Sequence, residues 1–156
     1  MLFKADYDEN GKKILCEMNG VNSDMLMDIY VQKLAKGNSL EINEAANECA
    51  VLLLSGSVNF KVGETIDEDC IRKNPFEKKP YAIHFSKGTS AVVTALEDSE
   101  VLVQKTDNEK TWAPVFYNPD NCLYQEFGKG QWEGTGYRIC STVFDYDNAP
   151  YSNMVL

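Results

Sequence analysis

Gly37-Asn38-Ser39-Leu40-Glu41-Ile42-Asn43-Glu44-Ala45-Ala46-Asn47-Glu48-Cys49-Ala50-Val51-Leu52-Leu53-Leu54-Ser55-Gly56 is the stretch on which the fold turns. It opens and closes on glycine, alternates over Ser39–Asn43, and then runs apolar from Ala50 to Leu54. Two strands between turn signals are the natural reading. Ser86-Lys87-Gly88-Thr89-Ser90-Ala91 repeats the design further on, a glycine turn feeding a β-branched run. Glycine supplies the positive φ that such turns require.

Further strands follow outward from this stretch. Alternation predicts them at Asp28–Ala35, Glu48–Ser55, Val58–Val62, Tyr81–Phe85, Ser90–Leu96, Glu100–Lys105 and Tyr137–Phe144. In Tyr81–Phe85, Tyr81, Ile83 and Phe85 share one face, and Ala82 and His84 share the other. Met18–Ala35 has helical spacing only in its middle. Many short strands with few short helices give an all-β jelly-roll sandwich or barrel. Thr106–Asn121 reads as irregular, Gly128–Gly136 as a loop, and Glu64–Asp69 as a solvated acidic turn. The aromatic residues Phe116, Tyr117, Tyr124, Phe127, Trp132 and Tyr137 read as core or interface.

With 156 residues, 44% of them apolar, the chain is sized for one domain with a real core. Its organisation is a single domain, 1–156. Residues 1–27 form an N-terminal hairpin and lead-in, 28–105 the barrel core, and 106–156 an irregular segment with strands. A net charge of −9 would repel nucleic acid, so that class of partner is excluded. No secretion signal precedes the first strand, and no apolar run reaches the ~20 residues of a membrane span. The five cysteines are odd in number and contain no Cys-x-x-Cys pair. Reduced thiols, a cytoplasmic location and no membrane association are the expectation. The apolar ending Asn153-Met154-Val155-Leu156 reads as a strand that something should follow.

Two motifs invite site readings. Asp6-x-Asp8-x-Asn10-Gly11-x5-Glu17 satisfies the calcium-loop expression, but only five residues precede it, too few for the entering helix. A β-turn at Asp8–Gly11, joining Met1–Ala5 to Lys13–Met18, is preferred. The lone His84 reads as a packed side chain. Pairing it with a thiol would give a nucleophilic centre only if the fold brought the two together.

Taken together, Gly37-x5-Asn43-x-Ala45-x3-Cys49-x6-Gly56 and Ser86-x-Gly88-x2-Ala91 have the spacing of the two cupin motifs. In that pattern the positions of Asn43, Ala45, Cys49 and Ala91 are metal-binding His, His, Glu and His. No imidazole or carboxylate stands at any of the four, so no metal ligand and no catalytic residue is assigned. Asn43, Cys49 and His84 are the candidate pocket residues.

Four segments, Gly37–Glu41, Leu52–Gly56, Lys79–Ile83 and Gly88–Ser90, with Gly134-x-Gly136-Tyr137-Arg138, resemble the N-terminal half of the 5-deoxy-glucuronate isomerases. These are bicupins of the IolB type, akin to the 5-keto-4-deoxyuronate isomerases. The resemblance covers about Ile29 to Leu156. It implies a cupin jelly roll that is the non-catalytic half of an enzyme of myo-inositol catabolism. A second cupin would follow Leu156, opening with a Pro-Pro-His-x-His segment that carries the divalent metal. The reaction implied for the whole enzyme is aldose–ketose isomerisation of 5-deoxy-glucuronate to 5-dehydro-2-deoxy-gluconate. This chain would need no cofactor of its own; its partners would be the C-terminal cupin and, through exposed apolar area, a second copy of itself. The alternative is a stand-alone cupin binding a small ligand or sugar.

Overall fold

The structure, a computed structural model, describes residues 4–76 and 79–156. Eleven strands are present among them: β1 (Lys12–Cys16), β2 (Asp28–Leu34), β3 (Ser39–Glu44), β4 (Asn47–Val62), β5 (Ile66–Arg72), β6 (Ala82–Phe85), β7 (Thr89–Ala95), β8 (Ser99–Asp107), β9 (Val115–Tyr117), β10 (Leu123–Phe127) and β11 (Arg138–Thr142). The only helical turns among the described residues are single 3-10 turns at Ser23–Met25 and Trp132–Gly134. Every strand pairing is antiparallel. The all-β expectation is met.

One sheet runs β1-β2-β8-β4-β6-β9, and β3, β7 and β5 form a second layer. The layers are joined through β4. Its first half, to Ser55, pairs with β8 and β6, and its second half, from Gly56, pairs with β5 and β7. The expected turn at Ser55-Gly56-Ser57 is therefore a bend inside one sixteen-residue strand. The physical reason lies at Gly56, whose φ is +100°. A Cβ there would collide with Ser99 Oγ, Ser99 Cα and the Asp98 carbonyl. Glycine lets the strand turn the corner between sheets without ending its ladders.

Between the layers lies the main core, built on Val51, Leu53, Phe60, Phe85, Val93 and Val103, all fully buried. Burying each such side chain contributes about 1.5–3 kcal/mol relative to exposure. A second cluster, including Ala50, Ala82, Tyr117, Phe144 and Met154, sits on the outer face of the β8-β4-β6 sheet. The two faces of Tyr81–Phe85 thus feed two different cores, as the alternation required. What covers the outer face is the segment 143–156. Its end is tied back by Val143 N–H and Phe144 N–H donating to the Leu156 carbonyl and Leu156 N–H donating to Phe144. The strand expected at Asn153–Leu156 is instead this irregular strap.

Three other local expectations differ. Of the outer strand expected at Met1–Ala5, residues 1–3 lie outside the described residues, and Lys4 and Ala5 are not in a strand. β1 pairs with β2 instead, setting Ile14 opposite Tyr30 and Cys16 opposite Ile29. The Asp8–Gly11 turn is present, with Asp8 Oδ1 accepting from the Asn10 and Lys12 amides. Glu64–Asp69, expected as a solvated acidic turn, instead runs into the edge strand Ile66–Arg72, which pairs only with β4; Ile66 and Cys70 point into the core while Asp67 and Asp69 face out toward Asn59. Charge on the open side of an edge strand discourages pairing with other chains. Finally, Leu123–Phe127 and Arg138–Thr142 form a two-stranded ribbon of their own.

Candidate functional site

One rim of the barrel gathers the ends of β3, β6 and β8 with the starts of β4 and β7. Gly88, at φ +78°, turns the chain there and donates its N–H to the Glu44 carbonyl at 2.6 Å. Inward and outward faces follow from the ladders, because directly opposed residues in antiparallel strands share a face. Ile42 stands opposite Ala91, and both are buried in the core. Asn43 stands opposite Ser90 and is exposed. Cys49 is fully buried and faces inward with Val51 and Leu53.

The four motif positions therefore divide. Cys49 and Ala91 line the interior, whereas Asn43 and Ala45 lie outside it. The inward residue at this end of β3 is Glu44. Its Oε1 meets Lys105 Nζ in a close ion pair, with side chains only 11% and 18% exposed respectively. Glu44 Oε2 also accepts from Asn47 Nδ2 at 3.3 Å. Lys105 projects from β8 directly opposite Cys49 of β4. Glu44 and Lys105 thus join the two layers across the rim. Tyr30 packs against the same core, with Lys105 Nζ 6.0 Å and Lys12 Nζ 4.2 Å from its ring centroid.

Burial keeps the Cys49 thiol and the Tyr30 phenol protonated. Burial pushes the Cys49 thiol well above its ordinary range; nearby Lys105 opposes the shift, and Glu44 and Glu48 reinforce it. The Tyr30 phenol is raised by burial first, then by Cys49, Glu44 and Asp28. A thiol held protonated is a poor metal ligand and a poor nucleophile. The expected divalent-metal chemistry needs three or four convergent nitrogen, oxygen or sulfur donors. Among the described residues no group of three His, Cys, Asp or Glu side chains is arranged to hold an ion. The inward-facing carboxylate at this rim, Glu44, is already engaged by an ammonium. The donor set does not fit a metal.

His84 belongs to a different environment. It stands opposite Ala50 on the outer face, next to but turned away from Cys49, so the three candidate pocket residues do not converge. It is fully buried, stacked on Phe144 at 4.1 Å with the rings nearly parallel, and bordered by Trp112 at 5.1 Å. Neither ring nitrogen has a hydrogen-bond partner. Glu48 Oε2 lies 3.5 Å from Nε2 and is itself fully buried. Glu48 accepts from Asn108 Nδ2, Ser152 Oγ and the Asn153 amide at 3.0, 3.2 and 2.8 Å. It anchors the strap rather than serving a cleft. No thiol joins His84, which removes the geometry for a Cys–His nucleophile.

The ribbon of β10 and β11 and the turn that joins them carry half of the exposed large apolar side chains among the described residues. Leu123, Tyr124, Phe127, Trp132, Tyr137 and Ile139 are all exposed. Phe116 and Tyr117, from the same aromatic-rich stretch, pack inward. Between the ribbon and Lys79 lies a cleft of about 580 Å³ lined by Tyr124, Tyr137, Ile139 and Ser141. All five cysteines are free thiols, and only Cys140 is exposed. No helix among the described residues is long and apolar enough to cross a membrane.

A two-layered antiparallel barrel with a glycine-turned rim of this kind defines a cupin fold. The structure of a cupin 2 domain-containing protein from Halorhodospira halophila superposes with a TM-score of 0.50 at 8% identity, covering 74% of each chain. An IolB-like protein from Salmonella typhimurium LT2 superposes with a TM-score of 0.68 at 20% identity, over 78% of this chain and 46% of that one. The sequence profile of the KduI/IolB family matches residues 1–156, and the chain belongs to that family. No curated protein matches it. The chain spans about half the length of the Salmonella protein it resembles.

Proposed function

We propose that this chain is the supporting, non-catalytic cupin half of a sugar isomerase of the KduI/IolB type. The reaction in view is interconversion of 5-deoxy-glucuronate and 5-dehydro-2-deoxy-gluconate in myo-inositol catabolism. The observation that carries the proposal is the barrel rim, where Cys49, Ala91 and the Glu44–Lys105 pair occupy the interior and leave no open donor set. Isomerisation of this kind moves a proton next to a carbonyl through an enediolate, whose charge a metal is well suited to stabilise. A chain without that electrophile leaves the chemistry to a metal-bearing cupin. Its own part is to support that half and to supply a wall or docking surface, for which the exposed aromatic ribbon is available. The location in view is the cytoplasm.

The direct test is incubation of the isolated chain with 5-deoxy-glucuronate, with and without added Zn²⁺ or Mn²⁺, followed by proton NMR. No isomerisation above the enzyme-free rate is expected. Metal-dependent turnover by this chain would refute the proposal.

A second reading, a stand-alone binder of a small sugar, draws on the aromatic cleft beside Lys79. Small-ligand sites are concave and mostly apolar with a few polar groups, which this cleft satisfies. Titration with uronates monitored by tyrosine and tryptophan fluorescence separates the readings, since saturable binding by the chain alone favours the second.

A further inference from the structure

We propose that Lys105 is a built-in cation that takes over the place and the bracing role of a divalent metal in this barrel, with Glu44 as its partner carboxylate. The inference deepens the reading of the chain as a metal-free cupin half and rests on it.

Three observations converge. First, Lys105 is the cross-strand partner of Cys49, one of the two motif positions that do face inward. Its ammonium therefore starts from the wall where the motif sets a metal ligand. Second, it reaches Glu44, which belongs to the opposite layer: β3 pairs only with β7, whereas β8 pairs with β2 and β4. A metal ion bound by ligands from several strands ties a barrel rim together, and this ion pair makes the same kind of tie with one lysine. Third, both charges are largely buried. A largely buried carboxylate needs a cation or several donors nearby, and Glu44 has Lys105 and the Asn47 amide. The pair is thus compensated internally, and the rim has no vacancy of charge for a divalent ion to fill.

The same geometry makes the rim a latent metal site. Removing the ammonium leaves the Glu44 carboxylate within electrostatic reach of the Cys49 thiol, and an imidazole at position 105 would add a third donor of a kind that zinc accepts. Zinc would also displace the thiol proton that burial now retains.

The experiment compares the wild-type chain with Lys105→His, with Lys105→His/Glu44→Gln, and with Glu44→Gln alone. Zn²⁺ binding is read by equilibrium dialysis and by the shift in melting temperature. The wild-type midpoint should not move with Zn²⁺. Lys105→His should bind roughly one ion per chain and gain several degrees, and adding Glu44→Gln should abolish both effects. Should Lys105→His fail to fold, the bracing role remains testable through Glu44→Gln and Glu44→Gln/Lys105→Met. The single variant leaves a buried unpaired ammonium and should melt lower than the double. Saturable Zn²⁺ binding by the wild type that is lost in Glu44→Gln would overturn the inference, as would a double variant less stable than Glu44→Gln. Isomerisation by the wild type without bound metal would instead refute the supporting-half reading and leave the ion pair standing.

Discussion

Cys49 and Lys105 face each other across neighbouring strands β4 and β8, at the rim where the cupin motif sets its metal. A buried thiol and a lysine in register there mean that the barrel interior is closed by protein groups. The thiol remains a small core hydrophobe, and the lysine is spent on Glu44.

Thiol reactivity follows from this arrangement. Four of the five cysteines are buried, and only Cys140 is exposed. Titration of the native chain with a chromogenic disulfide should modify one thiol quickly and the others only after denaturation. Cys140→Ser should remove the fast phase. Rapid modification of Cys49 in the native chain would mean that the rim is open.

Alkaline pH should destabilise the chain. Burial raises Cys70 from 9.0 to about 12, with Glu68 and Asp69 adding to the shift, and Cys49 is raised in the same direction. A group whose folded pKa is raised binds its proton more tightly in the folded state. Its stabilising contribution is complete below its unfolded value near 9 and is lost as pH climbs toward its folded value. The melting temperature should fall as pH rises above about 9, and Cys70→Ala should flatten that fall. Thermal scans between neutral and strongly alkaline pH measure both.

Glu48 holds the strap. Glu48→Ala removes the acceptor for Asn108, Ser152 and the Asn153 amide, all in a buried setting. A loss of about 3–5 kcal/mol is expected, in the range for breaking a buried charged network. Amide exchange should rise first in residues 143–156. A uniform rise across the barrel, with the strap no faster than the core strands, would contradict the anchoring role.

The corner at Gly56 is the most exacting backbone position. Gly56→Val places a β-branched side chain at φ +100° and against Ser99. Strain and overpacking together should cost on the order of 3 kcal/mol, measured by urea unfolding. An unchanged midpoint would show that β4 does not need glycine to change sheets.

Much of this barrel was legible in the sequence, because strand alternation and glycine turns act locally. Tyr81–Phe85 is the clearest case, with its two faces assigned to two cores by period alone. What escaped was decided at longer range. Gly56 looks like a hairpin turn in sequence, yet Ser99 from a distant strand makes it a bend within a strand. The motif spacing pointed to Asn43, but the inward face of β3 is set by Ile42 opposite Ala91, one residue out of step. A one-residue slip moves every side chain to the other face, so the motif spacing passes over Glu44. The alternation of Leu40, Ile42 and Glu44 carried the signal. Lys105 had none, since its partner lies 61 residues away.

If the Glu44–Lys105 ion pair fills this cupin rim in place of a metal, the purified chain should carry none. Elemental analysis of the chain, purified without chelator and dialysed against metal-free buffer, tests it most directly. Zinc, manganese, iron and nickel should all lie far below one ion per chain. Any one of them retained at close to one ion per chain, and lost on Glu44→Gln, would contradict it.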